Sequence, residues 1–109
     1  MRTKLQYTVL KEEKYNYKKD RMENHIISKG FEFSVSGARS EEEHEKVIDN
    51  FGKFLEENNV QYSAWGDGTW ESCKKYNDTS SFYYLYIHVE DTEDKKYVEE
   101  LYKEWKRSK

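Results

Sequence analysis

The chain of 109 residues has no proline, five glycines and a single cysteine, Cys73. A single cysteine excludes an intramolecular disulfide framework and a cysteine-based metal cluster. Without proline and with little glycine, no segment has the composition of an interdomain linker. No apolar run approaches the roughly 20 residues of a membrane span, and the N-terminus lacks the apolar core of a signal peptide. We therefore expect one cytoplasmic domain over residues 1–109.

Aromatic residues offset a low aliphatic content. Only 35% of the residues are hydrophobic and 38% are charged, yet 17% are aromatic. Disordered chains are poor in aromatic residues, so we expect a folded domain with a ring-rich core. The 19 basic and 22 acidic residues are interleaved. This pattern disfavours direct nucleic-acid binding, which depends on clustered lysine and arginine.

Alternating apolar and polar residues predict strands at residues 3–11 and 31–36. A third strand is predicted at Phe82–Glu90, where both faces carry large side chains. One face of this strand presents Tyr83, Leu85, Ile87 and Val89, and the other presents Phe82, Tyr84, Tyr86 and His88.

Helical spacing predicts three helices. The first covers Lys18–Lys29, because Met22 and Ile26 lie four residues apart and Gly30 can end a helix. The second begins at the capping box Ser40–Glu43 and ends at Asn58-Asn59. The third begins at Asp91 or Thr92.

Residues Val60–Trp65 and Thr69–Lys75 flank Gly66-Asp67-Gly68 and predict a hairpin. The order β, short α, β, α, β, β, β, α predicts an α+β two-layer sandwich with a mainly antiparallel sheet and helices on one face, a ferredoxin-like variant. The predicted core comprises Phe33, Val35, Val47, Ile48, Phe51, Leu55, Leu85, Ile87, Val98, Leu101 and Trp105.

Several short motifs follow one another from Lys18 to the last helix. They are a basic lead-in (Lys18, Lys19, Arg21), GFEFSV at Gly30–Val35, SEEE at Ser40–Glu43, AWGDG at Ala64–Gly68 and a helix opening with TED at Thr92. In this order they resemble the small bacterial family of YggL-like 50S-ribosome-binding proteins. The strand at Phe82–Val89 is additional to that pattern, and the N-terminal strand replaces a more basic leader. The resemblance implies a non-enzymatic accessory protein of the large ribosomal subunit.

No arrangement of residues indicates catalysis, a metal or a cofactor. His25, His44 and His88 lack ligand spacing relative to each other and to Cys73, so we interpret them as surface or sheet-face histidines. An enzyme would need a pocket that brings together Cys73, His88 and an acid. We predict a protein that is not an enzyme and holds no metal or cofactor.

The aromatic strand is the strongest candidate site. Tyr84, Tyr86 and His88 share one face, and Trp65 or Trp70 would extend it, depending on register. These rings could pack within the fold, form a protein interface or stack on bases.

We expect a small binding protein that docks on or occludes a protein or ribonucleoprotein partner, without a membrane association. A compact inhibitor from a phage or mobile element would have this composition. A ribosome-associated protein, an enzyme and a homo-oligomer formed through the aromatic strand or an edge strand are the alternatives.

Overall fold

In a computed structural model, which describes residues 1–108, four antiparallel strands form one sheet with helices packed on one face. The elements are β1 (Arg2–Asn16), β2 (Arg21–Ser36), α1 (Glu41–Glu57), β3 (Ser63–Trp65), α2 (Trp70–Lys75), β4 (Tyr84–His88) and α3 (Thr92–Arg107). A single 3₁₀ turn at Thr79–Ser81 precedes β4. The α+β two-layer prediction is confirmed.

The sheet order is β1-β2-β4-β3. Strands β2 and β3 both run antiparallel to β4, which lies between them. The unit β2-α1-β3-β4-α3 is therefore a split β-α-β of the ferredoxin-like kind. The strand on the far side of β2 is β1, which comes from the N-terminus instead of following α3.

The core lies between the sheet and the helices α1 and α3. All eleven predicted core residues are buried, together with Phe31 and Val89. Phe51 is at the centre: its ring centroid lies 4.1 Å from that of Phe33 and 4.9 Å from that of Trp105. The core prediction is confirmed. Helices α1 and α3 turn their apolar stripes toward the side of the sheet on which β2 and β4 carry their apolar residues.

Side-chain caps fix where the two long helices begin. Ser40 Oγ accepts a hydrogen bond from the Glu43 amide at 3.1 Å, and the Glu43 carboxylate accepts one from the Arg39 amide at 3.0 Å. Asp91 caps α3 by accepting from the Asp94 amide at 2.9 Å. Such caps satisfy amides that have no partner within the helix.

The helix predicted at Lys18–Lys29 is wrong. These residues form a turn and most of the outer half of β2, which pairs with β1 from Arg2–Ser36 to Asn16–Arg21. A spacing of four residues, as between Met22 and Ile26, places side chains on one side of a helix and also on one side of a strand. Pairing with β1 favours the strand.

The hairpin predicted around Gly66-Asp67-Gly68 is also wrong. Strand β3 pairs with β4, and the residues after Thr69 form helix α2. Thr69 Oγ1 accepts a hydrogen bond from the Ser72 amide at 3.1 Å, so Thr69 is a helix cap. Strand β4 is shorter than predicted and excludes Phe82, whose ring packs 5.5 Å from that of His44.

Candidate functional site

The side of the sheet opposite the helices α1 and α3 is uncovered. Register places Trp65 beside Tyr84, Glu32 beside Tyr86, and Gly30 beside His88. Because side chains alternate along a strand, Trp65, Tyr84, Tyr86, His88 and Glu32 all lie on this side, which we call the open face. Trp65 is 57% exposed, His88 is exposed, and the two tyrosines are partly exposed.

Trp65 and Tyr84 form a cross-strand aromatic pair on β3 and β4. The Trp65 indole N–H donates to Ser63 Oγ at 2.8 Å, which holds the ring against its own strand. Partial burial, followed by the nearby charges of Asp67 and Glu32, raises the pKa of Tyr84. The aromatic pair therefore has an acidic border.

Tyr86 lies flat on the sheet. A Cβ added at Gly30 would come within 2.6 Å of Tyr86 Cζ and 2.7 Å of its hydroxyl oxygen, so the ring covers the glycine backbone. The Tyr86 hydroxyl shares a hydrogen bond with Ser28 Oγ, which also lies 3.3 Å from His88 Nδ1. Hydrogen bonds to Ser28 hold Tyr86 and His88 in place, and Trp65, which is more than half exposed, is the large apolar ring that the open face presents to solvent.

Trp70 does not belong to this face. It begins α2, where its ring lies 5.7 Å from His44 and 5.5 Å from Phe82. Register therefore selects Trp65 over Trp70 as the extension of the patch. Glu32, Asp67 and Ser28 also act on these rings, and none of the three was predicted from the sequence. The alternation of apolar and polar residues in 31–36 already placed Glu32 on the side of the strand that faces away from the core.

His44 is fully buried, so its interpretation as a surface histidine is wrong. Its Nε2 lies 2.9 Å from the Tyr83 carbonyl oxygen. A carbonyl can only accept, so Nε2 carries the proton. Among the buried side-chain nitrogens and oxygens of residues 1–108, His44 Nδ1 is the one that has no hydrogen-bond partner.

The structure does not bring the possible nucleophile and base together. Cys73 is buried in α2, and its thiol donates to the Asp67 carbonyl at 3.0 Å. His88 lies at the far end of β4, beside Ser28. Within residues 1–108, no cluster of three His, Cys, Asp or Glu side chains could hold a metal ion.

Two tyrosines outside the open face bond to carboxylates on α1. Partial burial and a 2.7 Å hydrogen bond to Asp49 raise the pKa of Tyr83 to about 12. A 2.7 Å hydrogen bond to Glu56 and partial burial raise the pKa of Tyr62 to about 12. Both hydroxyls are donors, so these bonds require the neutral phenol.

Comparison with family models, with curated proteins and with solved structures finds no match to this chain. None of the helices within residues 1–108 combines the length and the apolar character that crossing a membrane requires.

Proposed function

We propose that this chain is a non-enzymatic binding protein that docks on a protein partner through the open face. The observation that carries the proposal is the pair formed by the exposed Trp65 and the partly exposed Tyr84 on the uncovered side of the sheet. Tryptophan and tyrosine contribute much of the binding energy at protein interfaces, because their rings supply large areas at low entropy cost.

The border of the pair favours a protein over a nucleic acid. Glu32 and Asp67 are close enough to Tyr84 to raise the pKa of its hydroxyl. Negative charge at this position repels phosphate, whereas it complements a basic protein surface. Docking would cover the partner's surface without any chemical step. Occlusion of a host machine by a phage or mobile-element inhibitor is one biological form of this activity.

The test begins with affinity capture of the partner from the native host and measurement of its dissociation constant. Trp65→Ala and Tyr84→Ala should each weaken binding by about 2 kcal/mol, roughly 30-fold, as interface anchors do. Tyr76→Ala is the matched control, because Tyr76 is 74% exposed and lies at the end of α2. Equal affinity of all three variants and the wild type would refute the proposal.

A ribosome-associated accessory protein is the second candidate. It is supported by the place of Lys18, Lys19 and Arg21, which stand exposed at or beside the turn between β1 and β2. In this case the chain should co-sediment with large ribosomal subunits, and a Lys18→Glu, Lys19→Glu double variant should not. Co-sedimentation that is insensitive to these substitutions would leave the basic turn without a role.

A further inference from the structure

Strands β1 and β2 continue beyond the body of the domain as a two-stranded arm. Strand β4 pairs with β2 only from Gly30 to Phe33, while β1 pairs with β2 as far as Asn16–Arg21. We define the arm as residues 10–28. Over residues 1–108 no third strand pairs with the arm, so both of its edges are open.

The arm carries more exposed apolar surface than its size explains. Among residues 1–108, six of the ten exposed large apolar side chains lie on it: Leu10, Tyr15, Tyr17, Met22, Ile26 and Ile27. An isolated two-stranded hairpin is marginal in water, and clustered exposed apolar side chains mark interaction surfaces. We therefore expect a binding partner to bury the apolar side chains of the arm.

The two sides of the arm differ. Register places Tyr15 opposite Met22 and Lys11 opposite Ile26 on one side, which also carries Glu13. We call this side the apolar face; it continues the side of the sheet that α1 and α3 cover over the body.

The opposite side of the arm carries Leu10 at its base and is otherwise polar. The four ion pairs found within residues 1–108 all lie on the arm: Lys14 with Glu12, and Glu23 with Lys19, Arg21 and His25. These partners occupy the turn and the alternate strand positions, away from Tyr15 and Met22. Because these charged side chains form ion pairs with one another within the arm, the apolar face is the side that lacks a partner.

The charges on the apolar face complement a second copy. Lys11 and Glu13 stand two residues apart on the same side of β1. Two antiparallel arms stacked face to face about a two-fold axis at Glu12 would place each Lys11 against the Glu13 of the other copy. The same axis would place Tyr15 over Val9.

The tip of the arm would then meet a groove on the other copy. In this arrangement Tyr17 reaches the level of Tyr7 in the other copy. There a surface groove between β1 and α3 is lined by Leu5, Tyr7, Phe31, Tyr102 and Lys95, with Lys95 Nζ 4.2 Å from the Tyr7 ring centroid. Tyr17 is 88% exposed and packs against Tyr15 at 4.9 Å, so its ring is free to enter the groove.

The exposed apolar area of the arm reaches the lower limit for a specific interface. From their exposed fractions, Tyr15, Tyr17, Met22 and Ile26 present on the order of 500 Å² per copy. Two copies would bury on the order of 1,000 Å² through these side chains alone, the lower limit for a specific interface.

We infer that the chain forms a symmetric homodimer in which the apolar faces of two arms pack against each other. This dimer leaves the open face of each copy free, so it is independent of the proposed docking function.

The test is the molar mass in solution, measured by light scattering and sedimentation velocity. The wild type should be a dimer. Lys11→Glu and Glu13→Lys should each shift it to monomer at low micromolar concentration, and the double variant Lys11→Glu, Glu13→Lys should restore the dimer. Lys14→Glu, on the opposite side of the arm, is the matched control and should remain dimeric.

Met22→Ser provides a second, uncharged test, since the arm lies outside the core. It should give a monomer whose circular dichroism and melting temperature stay close to those of the wild type. Trp65→Ala should remain dimeric, which separates this interface from the open face. A wild type that is monomeric up to on the order of 100 µM, or a double charge reversal that does not restore the dimer, would overturn the inference. Binding of a different protein or an RNA by a monomeric arm would also overturn it.

Discussion

Replacement of Gly30 by alanine should destabilise the protein, against the usual trend for a strand. Alanine in a strand interior is ordinarily more stable than glycine by roughly 0.5–1 kcal/mol. At this position the added Cβ would stand 2.5 Å from the Ile87 carbonyl oxygen and 2.6 Å from Tyr86 Cζ. The oxygen belongs to the backbone of β4 and cannot swing aside.

The size of the stability loss follows from the groups that the added methyl would displace. The Tyr86 ring can leave its place over Gly30 only by giving up its hydrogen bond to Ser28, and β2 and β4 must separate locally. Inserting a methyl group into a packed site typically costs about 1–3 kcal/mol. We expect a net loss of about 2 kcal/mol in the free energy of unfolding, or a melting temperature lower by about 8 °C.

Urea unfolding followed by tryptophan fluorescence and circular dichroism would measure this loss. Ser34→Ala is the control, since Ser34 lies on the same side of β2 and should change stability by no more than about 0.5 kcal/mol. A Gly30→Ala variant as stable as the wild type, or more stable, would refute the packing of Tyr86 over the glycine.

Two further outcomes are expected. Phe51→Ala should lower the free energy of unfolding by about 3–5 kcal/mol, because Phe51 is fully buried among rings. Phe54→Ala should lower it by less, since Phe54 is half-buried. Equal melting temperatures for the two variants would contradict this. In a spectrophotometric titration, Tyr62 and Tyr83 should ionise near pH 12. Their folded pKa values lie above the ordinary tyrosine pKa of about 10, so the stability from these two hydroxyls is complete below pH 10 and is lost as the pH rises toward 12. Replacing both by phenylalanine should flatten that loss, and a wild-type titration without a tyrosine transition near pH 12 would contradict the assignment.

The elements that the sequence predicted correctly are those whose local and tertiary preferences agree. The capping box at Ser40 and the apolar stripe from Val47 to Leu55 define α1 without reference to the rest of the chain. Alternation in Phe31–Ser36 likewise defines the inner half of β2. These patterns also define the core, because each presents a single apolar side.

The candidate site was predictable in part for the same reason. Strict alternation after Phe82 placed Tyr84, Tyr86 and His88 together on one side of a strand. Trp65 could be assigned to that side only from the pairing of β3 with β4. Asp67 lies in the loop after β3, and no local pattern predicts that its charge influences the pKa of Tyr84.

The sequence by itself determined the class of fold, the two long helices and the composition of the core, since these depend on periodicity within single segments. Tertiary structure alone decided that Met22 and Ile26 lie on a strand and that Thr69 begins a helix. A four-residue spacing satisfies both periods, and a turn such as Gly66–Gly68 does not specify which strand comes next to β3. Pairing with β1 settles the first question, and pairing of β3 with β4 leaves the residues after Gly68 outside the sheet, where Thr69 caps α2. Each backbone amide must find its partner in one register.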